Sequence, residues 1–295
     1  MNETTLAATP EQPAAPAKLA ARTIGLSISD SPDLKRLGFG PEHLQDAMIE
    51  FARFFLASGA TLAYGGDLRK GGFTRMLFEL AETHKRNSDK PSYQRIVNFL
   101  AWPIHLDLRE DEQAKHKQIV DFRRCQIPVD LGIDQQTPLP PDTPEHRYIW
   151  ARCLTAMREE INGFVNARLL MGGQLKGYKG KYPGLAEEAY LALRDSKPLF
   201  LVGGFGGCTA AVIEAIQGKQ PEALSEKFQL EDANYRELFE LYNERVTADP
   251  NTGQQPIDYG ELVQFFNAKG IAGLNNGLTE EENRRLLTTP LVPGF

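Results

Sequence analysis

The sequence predicts an α/β fold, a Rossmann-like doubly wound parallel sheet with a helical C-terminal extension. From residue 23 to about 217, short apolar runs alternate with segments of helical spacing, the signature of strand–helix–strand units around a parallel sheet. Several of the apolar runs end in glycine pairs: Gly65 with Gly66, Gly172 with Gly173, and Gly203 with Gly204. Beyond residue 219 the strands stop and only helical periodicity continues.

Length and composition bound the reading. A chain of 295 residues with 41% hydrophobic and 24% charged residues suits one elaborated globular domain with an appendage. Three segments are expected: a disordered tail over 1–21, rich in Ala, Pro and Thr, a Rossmann-like nucleotide-binding domain over 22–218, and the helical extension over 219–295. The net charge of -6 argues against a general nucleic-acid-binding surface. No stretch reaches the roughly 20 apolar residues that cross a bilayer, and the tail lacks a signal-type apolar core, so a cytoplasmic protein without a membrane partner is expected. Cys125, Cys153 and Cys208 are far apart and lack metal spacing, which fits core residues in a reducing compartment. The five histidines form no spaced metal pair either, so no metal is expected.

Taken in order, RTIGLSIS alternates Ile24, Leu26 and Ile28 with small or polar residues, as a first strand would. Ser27 and Ser29 fall at its C-terminal end, where ligands gather in open α/β sheets, although they could equally turn the chain. Pro41 to Ser58 has helical spacing in Leu44, Ala47, Met48, Phe51, Phe54 and Phe55, with Gly59 as a stop. The strand ATLAY then enters GGDLRKGGF, which brings Gly65, Gly66, Asp67, Gly71 and Gly72 before a helix from Thr74 to about Lys85. Glycines let backbone amides approach an anion, so this turn is a candidate phosphate cradle, matching neither G-x-G-x-x-G nor the P-loop. RIVNFLAWPI reads as a third strand, and REDEQAKHKQIVDF as a solvated helix entering an extended piece. A proline-laden loop over 135–146 leads into a helix from Arg147 to Gly163.

The stretch from Met157 to Glu188 carries the main candidate site. ARLLM, a buried strand, ends at Gly172 and Gly173, and the loop beyond holds Lys176, Lys179 and Lys181 with Tyr178 and Tyr182. PGLAEEAYLAL starts a helix at Pro183 and Gly184, whose amides and nearby lysines suit a phosphate. Tyr178 and Tyr182 could stack on a base, or pin the loop onto the protein. Arg158 could clamp a phosphate with its planar fork or pair with Glu159 or Glu160. It is expected to face solvent in the cleft, so that its removal would weaken a ligand and spare the fold. Glu188 could accept two ribose hydroxyls or act as an acid/base on an N-glycosidic bond, with Glu187 complementing the helix end. KPLFLVGG followed by FGGCTAAVIEAI repeats the pattern and adds Gly203, Gly204, Phe205 and Gly206 to the candidate crevice. In the extension, Phe, Tyr and Leu on one side of the helices over 228–268 suggest a partner surface.

The succession YGGDLRKGGFT, MREE, LLMGGQLKGYKGKYPGLAEEAYLAL and PLFLVGGFGG resembles the SLOG superfamily over about residues 23–217. That superfamily includes the lysine decarboxylase-like LOG phosphoribohydrolases, ligand domains of TRPM channels and sensor domains of Thoeris-type anti-phage systems. The resemblance matches Arg158, Gly172, Gly173, Gly184 and Glu188 to the LOG arginine and the P-G-G-x-G-T-x-x-E motif. Met171 stands for the proline, Leu185 for the threonine, and a loop is inserted between the glycines. The insertion favours the sensor branch, which implies an NAD- or ADP-ribose-derived nucleotide ligand and no required cofactor. It further implies a homo-oligomer and leaves room for an effector protein on another chain. The enzymatic alternative, release of a base from a nucleoside monophosphate by Glu188 and Arg158, stays open.

Overall fold

Strand β1 (Thr23–Ser29) is the centre of a six-stranded sheet whose other members are β2 (Thr61–Gly65), β3 (Ile96–Leu100), β4 (Val120–Arg124), β5 (Ala167–Gly172) and β6 (Leu199–Val202). All neighbours are parallel and their order is β4-β3-β2-β1-β5-β6. The computed structural model describes residues 18–66, 72–85, 95–134, 136–249 and 253–290. The third apolar run stops being strand at Leu100, three residues before Pro103, which has no amide to extend a ladder. Ile104–Asp107 instead form a short 3-10 turn.

Helices cover both faces of the sheet. On one side α1 (Pro41–Ala57) and α2 (Phe73–His84) pack on Ile24, Leu26 and Ile28 of β1. The connection from β3 to β4 carries α3 (Glu110–His116). On the other side lie α4 (Pro144–Phe164) and α5 (Gly184–Arg194). Pro144 opens α4 at its first turn, and the Thr143 hydroxyl accepts the His146 amide at 3.1 Å, a side-chain cap that marks the start. In α1, Leu44, Ala47, Met48, Ala52 and Leu56 face the sheet. Phe51, Phe54 and Phe55 continue the apolar stripe past the width that the sheet covers, and Phe54 is 62% exposed.

After α6 (Gly207–Ile216) the extension holds α7 (Glu226–Gln229), α8 (Ala233–Ala248), α9 (Tyr259–Lys269) and α10 (Glu280–Leu286). Its aromatic face is not free for a partner. Tyr235, Leu238 and Tyr242 of α8, with Tyr259, Leu262 and Phe266 of α9, are buried in the same core as α4, α5 and α6. Burying each such side chain contributes about 1.5–3 kcal/mol, so this face is committed to the fold. Leu286 of α10 closes the other sheet face.

All three cysteines are free and buried. Burial pushes the Cys153 and Cys208 thiols up to about 12 and raises Cys125 as well. The folded chain should therefore resist iodoacetamide at mildly alkaline pH and take up three labels once unfolded, as mass spectrometry would show. Rapid labelling of the native chain would contradict this packing.

Candidate functional site

From β1 the chain builds outward through β2, β3 and β4, then α4 carries it back to β5 on the other side of β1. The connections leaving β1 and β5 diverge at this switch point, which opens a crevice beyond the strands' carboxyl ends. A cleft of about 380 Å³ lies there, a size within the range of small-molecule sites. Ser27, Ser29 and Asp30 come from the end of β1, Gly65, Gly66, Gly72 and Phe73 from the β2–α2 connection, and Arg158 from α4. Gly184, Leu185 and Glu188 come from α5. Phe99, Ala101, Ile104, Leu154 and Met157 form an apolar wall opposite these polar groups.

Behind the polar wall lies a network of buried charges. Arg168 of β5 is 1% exposed, and its NH1 donates to Glu188 Oε2 at 2.7 Å and to Ser27 Oγ at 3.0 Å. The Ser27 hydroxyl also donates to Glu188 Oε2. Arg158, 7% exposed, donates from NH1 to Glu187 Oε2 at 2.5 Å and holds Nε 3.7 Å from Glu188 Oε1. Thr155 adds a hydrogen bond to Glu187 Oε1 at 2.5 Å. Two guanidiniums and two carboxylates thus neutralise one another inside the protein, as buried charges require. Compensation is incomplete at the arginines: Nε of Arg158, and Nε and NH2 of Arg168, are buried without a hydrogen-bond partner. Desolvation lowers the Arg168 pKa, opposed by Glu188.

Local sequence explains why this network forms. Arg168 pairs in register with Gly25 of β1, and a Cβ at Gly25 would stand 3.5 Å from Arg168 Cγ and 3.3 Å from Val165 Cγ1. The contact with Arg168 would be an ordinary one, so glycine at 25 chiefly relieves the approach of Val165 beside the arginine. Gly184 makes room for Arg158 more directly, because a Cβ there would meet NH2 at 2.9 Å. At the start of α5, Pro183 is the cap residue and supplies no side-chain hydrogen bond. The amides of Gly184 and Leu185 consequently have no intrahelical acceptor and border the cleft.

The structure separates the other sequence candidates. Gly172 and Gly173 stand behind the cleft wall in left-handed conformation, φ +66° and +106°. A Cβ on Gly172 would lie 2.7 Å from the Ser29 carbonyl oxygen, and the Gly173 amide donates to that same oxygen at 2.9 Å. Lys176 is turned outward onto Glu231 and the Phe228 ring, and Lys179 lies 4.3 Å from the Trp150 ring centre. Tyr178 borders the cleft, but its hydroxyl bonds Gln229 at 2.7 Å and the Tyr259 hydroxyl at 2.8 Å. Glu187 faces Arg158 and Thr155. The third glycine exit does not reach the cleft. Gly203 and Gly204 are covered by the segment from Leu287 to Pro290, with a Cβ on Gly203 only 1.9 Å from the Leu287 oxygen. Phe205 is packed against Phe39 at 5.8 Å between ring centres. Next to Gly206, the Asp33 carboxylate accepts the Gly207 amide at 2.7 Å and so fills the N-terminus of α6 with the chain's own anion. Asp67 and Gly71 lie outside the described residues.

Sequence reading missed Arg168, Thr155 and Asp33. For Arg168 the signal was present: a charged residue inside an otherwise apolar strand, opposite a glycine in the neighbouring one. Among the described residues no group of three or more His, Cys, Asp or Glu side chains is placed to hold a metal, and no helix is long and apolar enough to cross a membrane.

The burial of Arg158 overturns the expectation that it faces solvent. Removing one partner of a buried ion pair costs about 3–5 kcal/mol, so Arg158→Ala and Arg168→Met should each lower unfolding free energy by that order in urea titrations. A loss below about 1 kcal/mol, the size of a surface pair, would show that these charges are solvated.

Comparison with curated proteins gives no match. The family model described as SLOG cluster2 matches residues 18–286, a span that takes in the sheet, the cleft and the extension through α10. On that match the chain belongs to the SLOG cluster2 family.

Proposed function

We propose that the cleft at the β1/β5 switch point binds an NAD- or ADP-ribose-derived nucleotide as a signal. The observation that carries this reading is the pairing of Glu188 with the start of α5. Glu188 Oε2 is held by Ser27 and Arg168, while the residue also lines the cleft beside Gly184 and Leu185, whose amides have no intrahelical acceptor. A carboxylate suits a ribose diol, and free amides at a helix start suit a phosphate. The apolar wall of Phe99, Ile104, Leu154 and Met157 offers a planar base a surface.

Binding is favoured over base release by the hold on Glu188: its Oε2 is fixed by Ser27 and Arg168 inside the protein, which suits a carboxylate that positions a ligand. Family membership supports a sensor of this kind, with an effector on another chain and a place in bacterial anti-phage or stress signalling.

Calorimetry with AMP, ADP-ribose and cyclic ADP-ribose, paired with chromatography for free base, tests the proposal. At least one ligand should bind without releasing base; release that vanishes in Glu188→Gln would establish a phosphoribohydrolase instead. The diol contact has its own readout. Because a hydrogen bond to a charged group contributes about 1.5–3 kcal/mol, the wild type should prefer a ligand over its 2′,3′-dideoxy form by about ten-fold to over a hundred-fold. Glu188→Gln should erase most of that preference. Taking the ratio within one variant cancels any general weakening of the network.

A further inference from the structure

A second concavity, of about 730 Å³, lies at the opposite edge of the sheet from the cleft. Arg22 and Ile24 at the start of β1, Ala167 at the start of β5 and Pro198 just before β6 place it at the amino ends of the strands. Phe51, Phe54 and Phe55 of α1 form one side, and Phe200, Leu278 and Leu286 the other. The three α1 rings pack on one another, with centres 6.4 Å apart for Phe51–Phe55 and 5.7 Å for Phe54–Phe55. Phe54 stands out from this cluster at 62% exposure. The other exposed large apolar side chains among the described residues, Leu37 and Val129, do not border this groove. An exposed aromatic knob beside an apolar groove marks an interaction surface.

We infer that this groove is the interface of a two-fold homodimer in which Phe54 of each chain enters the groove of the other. Knob and hole lie on one surface, which is the self-complementary arrangement that an isologous contact uses. Charge is compatible with this: Arg22 and Glu50 both line the groove, Glu50 is paired with Arg53 of its own helix, and a two-fold contact that set Glu50 of one chain against Arg22 of the other would form that cross-chain pair twice. The first seventeen residues, which precede Leu19 of the groove in sequence, are a poorer occupant. They offer Met1 and Leu6 as their large apolar side chains and no aromatic ring. The aromatic face of α8 and α9 is buried within the chain, whereas Phe54 of α1 is exposed. Dimerisation at the amino edge of the sheet keeps both ligand clefts open at the carboxyl edge, so it does not depend on what the clefts bind.

Light scattering on the full chain at tens of micromolar tests the interface. The expected mass is twice the 32.9 kDa of one chain. Phe54→Glu should halve it while melting stays cooperative and near the wild-type temperature, because the ring leaves solvent only in the dimer. Arg22→Glu should raise the dissociation constant, and adding Glu50→Arg should lower it again. A wild type of single-chain mass would overturn the inference. If that monomer failed to brighten an anilinonaphthalene sulfonate dye, the chain's own first residues would be the occupant; if it brightened the dye, the groove would be open to an apolar ligand. A two-chain mass unchanged by Phe54→Glu would place the dimer axis elsewhere.

Discussion

The ion pair between Arg168 and Glu188 is the constraint on which the rest of the site depends. It spans β5 and α5 and takes in β1 through Ser27. It therefore ties together the three elements that meet where the sheet changes direction. A guanidinium at 1% exposure is costly to desolvate, and its Nε and NH2 find no partner. Such a group persists only where its geometry is imposed from several sides. Here β1 supplies the Ser27 hydroxyl and α5 the Glu188 carboxylate to the same guanidinium nitrogen. Arg158 and Glu187 repeat the arrangement one layer outward, with Thr155 as the neutral member in place of Ser27. The two adjacent glutamates are thus not interchangeable. Glu187 is taken up on both oxygens inside the protein, whereas Glu188 keeps Oε1 at the longer distance of 3.7 Å from Arg158 and borders the cleft.

The same logic explains why three glycine-rich exits from the sheet yield one cleft. After β6, the helix start that would attract an anion already has one in Asp33. The last described segment covers Gly203 and Gly204 closely enough that no side chain could fit. After β5, Gly172 and Gly173 are needed for the backbone to turn against the Ser29 carbonyl, so their role is to bring Gln174 and α5 to the cleft rather than to touch a ligand. Only the exit after β2 presents its glycines directly, and Asn98 of β3 steadies it by donating to the Tyr64 and Gly66 carbonyls at 3.2 and 3.4 Å. Glycine at a strand exit therefore reports a close approach, and at two of these three exits the approaching group is the chain itself.

Much of the fold was legible because periodicity is a local property. The alternation of β1 and the continuous run of β5 follow directly from which faces are buried. The location of the crevice followed too, since parallel strands place all their exits on one edge. Partners were not legible. That Arg158 pairs with Glu187, 29 residues away, and not with the adjacent Glu159 or Glu160, depends on how α4 crosses α5. The stripe of Phe51, Phe54 and Phe55 had helical spacing like the buried residues of α1, and spacing cannot tell how wide a face the neighbouring sheet covers. The aromatics of α8 and α9 had the converse fate, read as a surface and found in the core. For both, the deciding quantity was the arrangement of non-local elements.

The loop between β5 and α5 joins the cleft to the extension. Tyr178 borders the cleft, and its hydroxyl reaches Tyr259 of α9, which is hydrogen-bonded in turn to Tyr235 of α8 at 2.7 Å. Tyr235 donates to the Lys181 carbonyl at 2.5 Å, and Tyr182 accepts the Asp258 amide at 2.9 Å just before α9. Burial raises the pKa of all four of these phenols, so they remain neutral donors across the ordinary pH range. A loop rich in lysine and glycine, which composition alone would leave loose, is held at both ends of its tyrosine pair. The helical extension is therefore part of the wall that shapes the cleft. A group entering beside Tyr178 meets a side chain whose position is set by α8 and α9 as much as by the sheet.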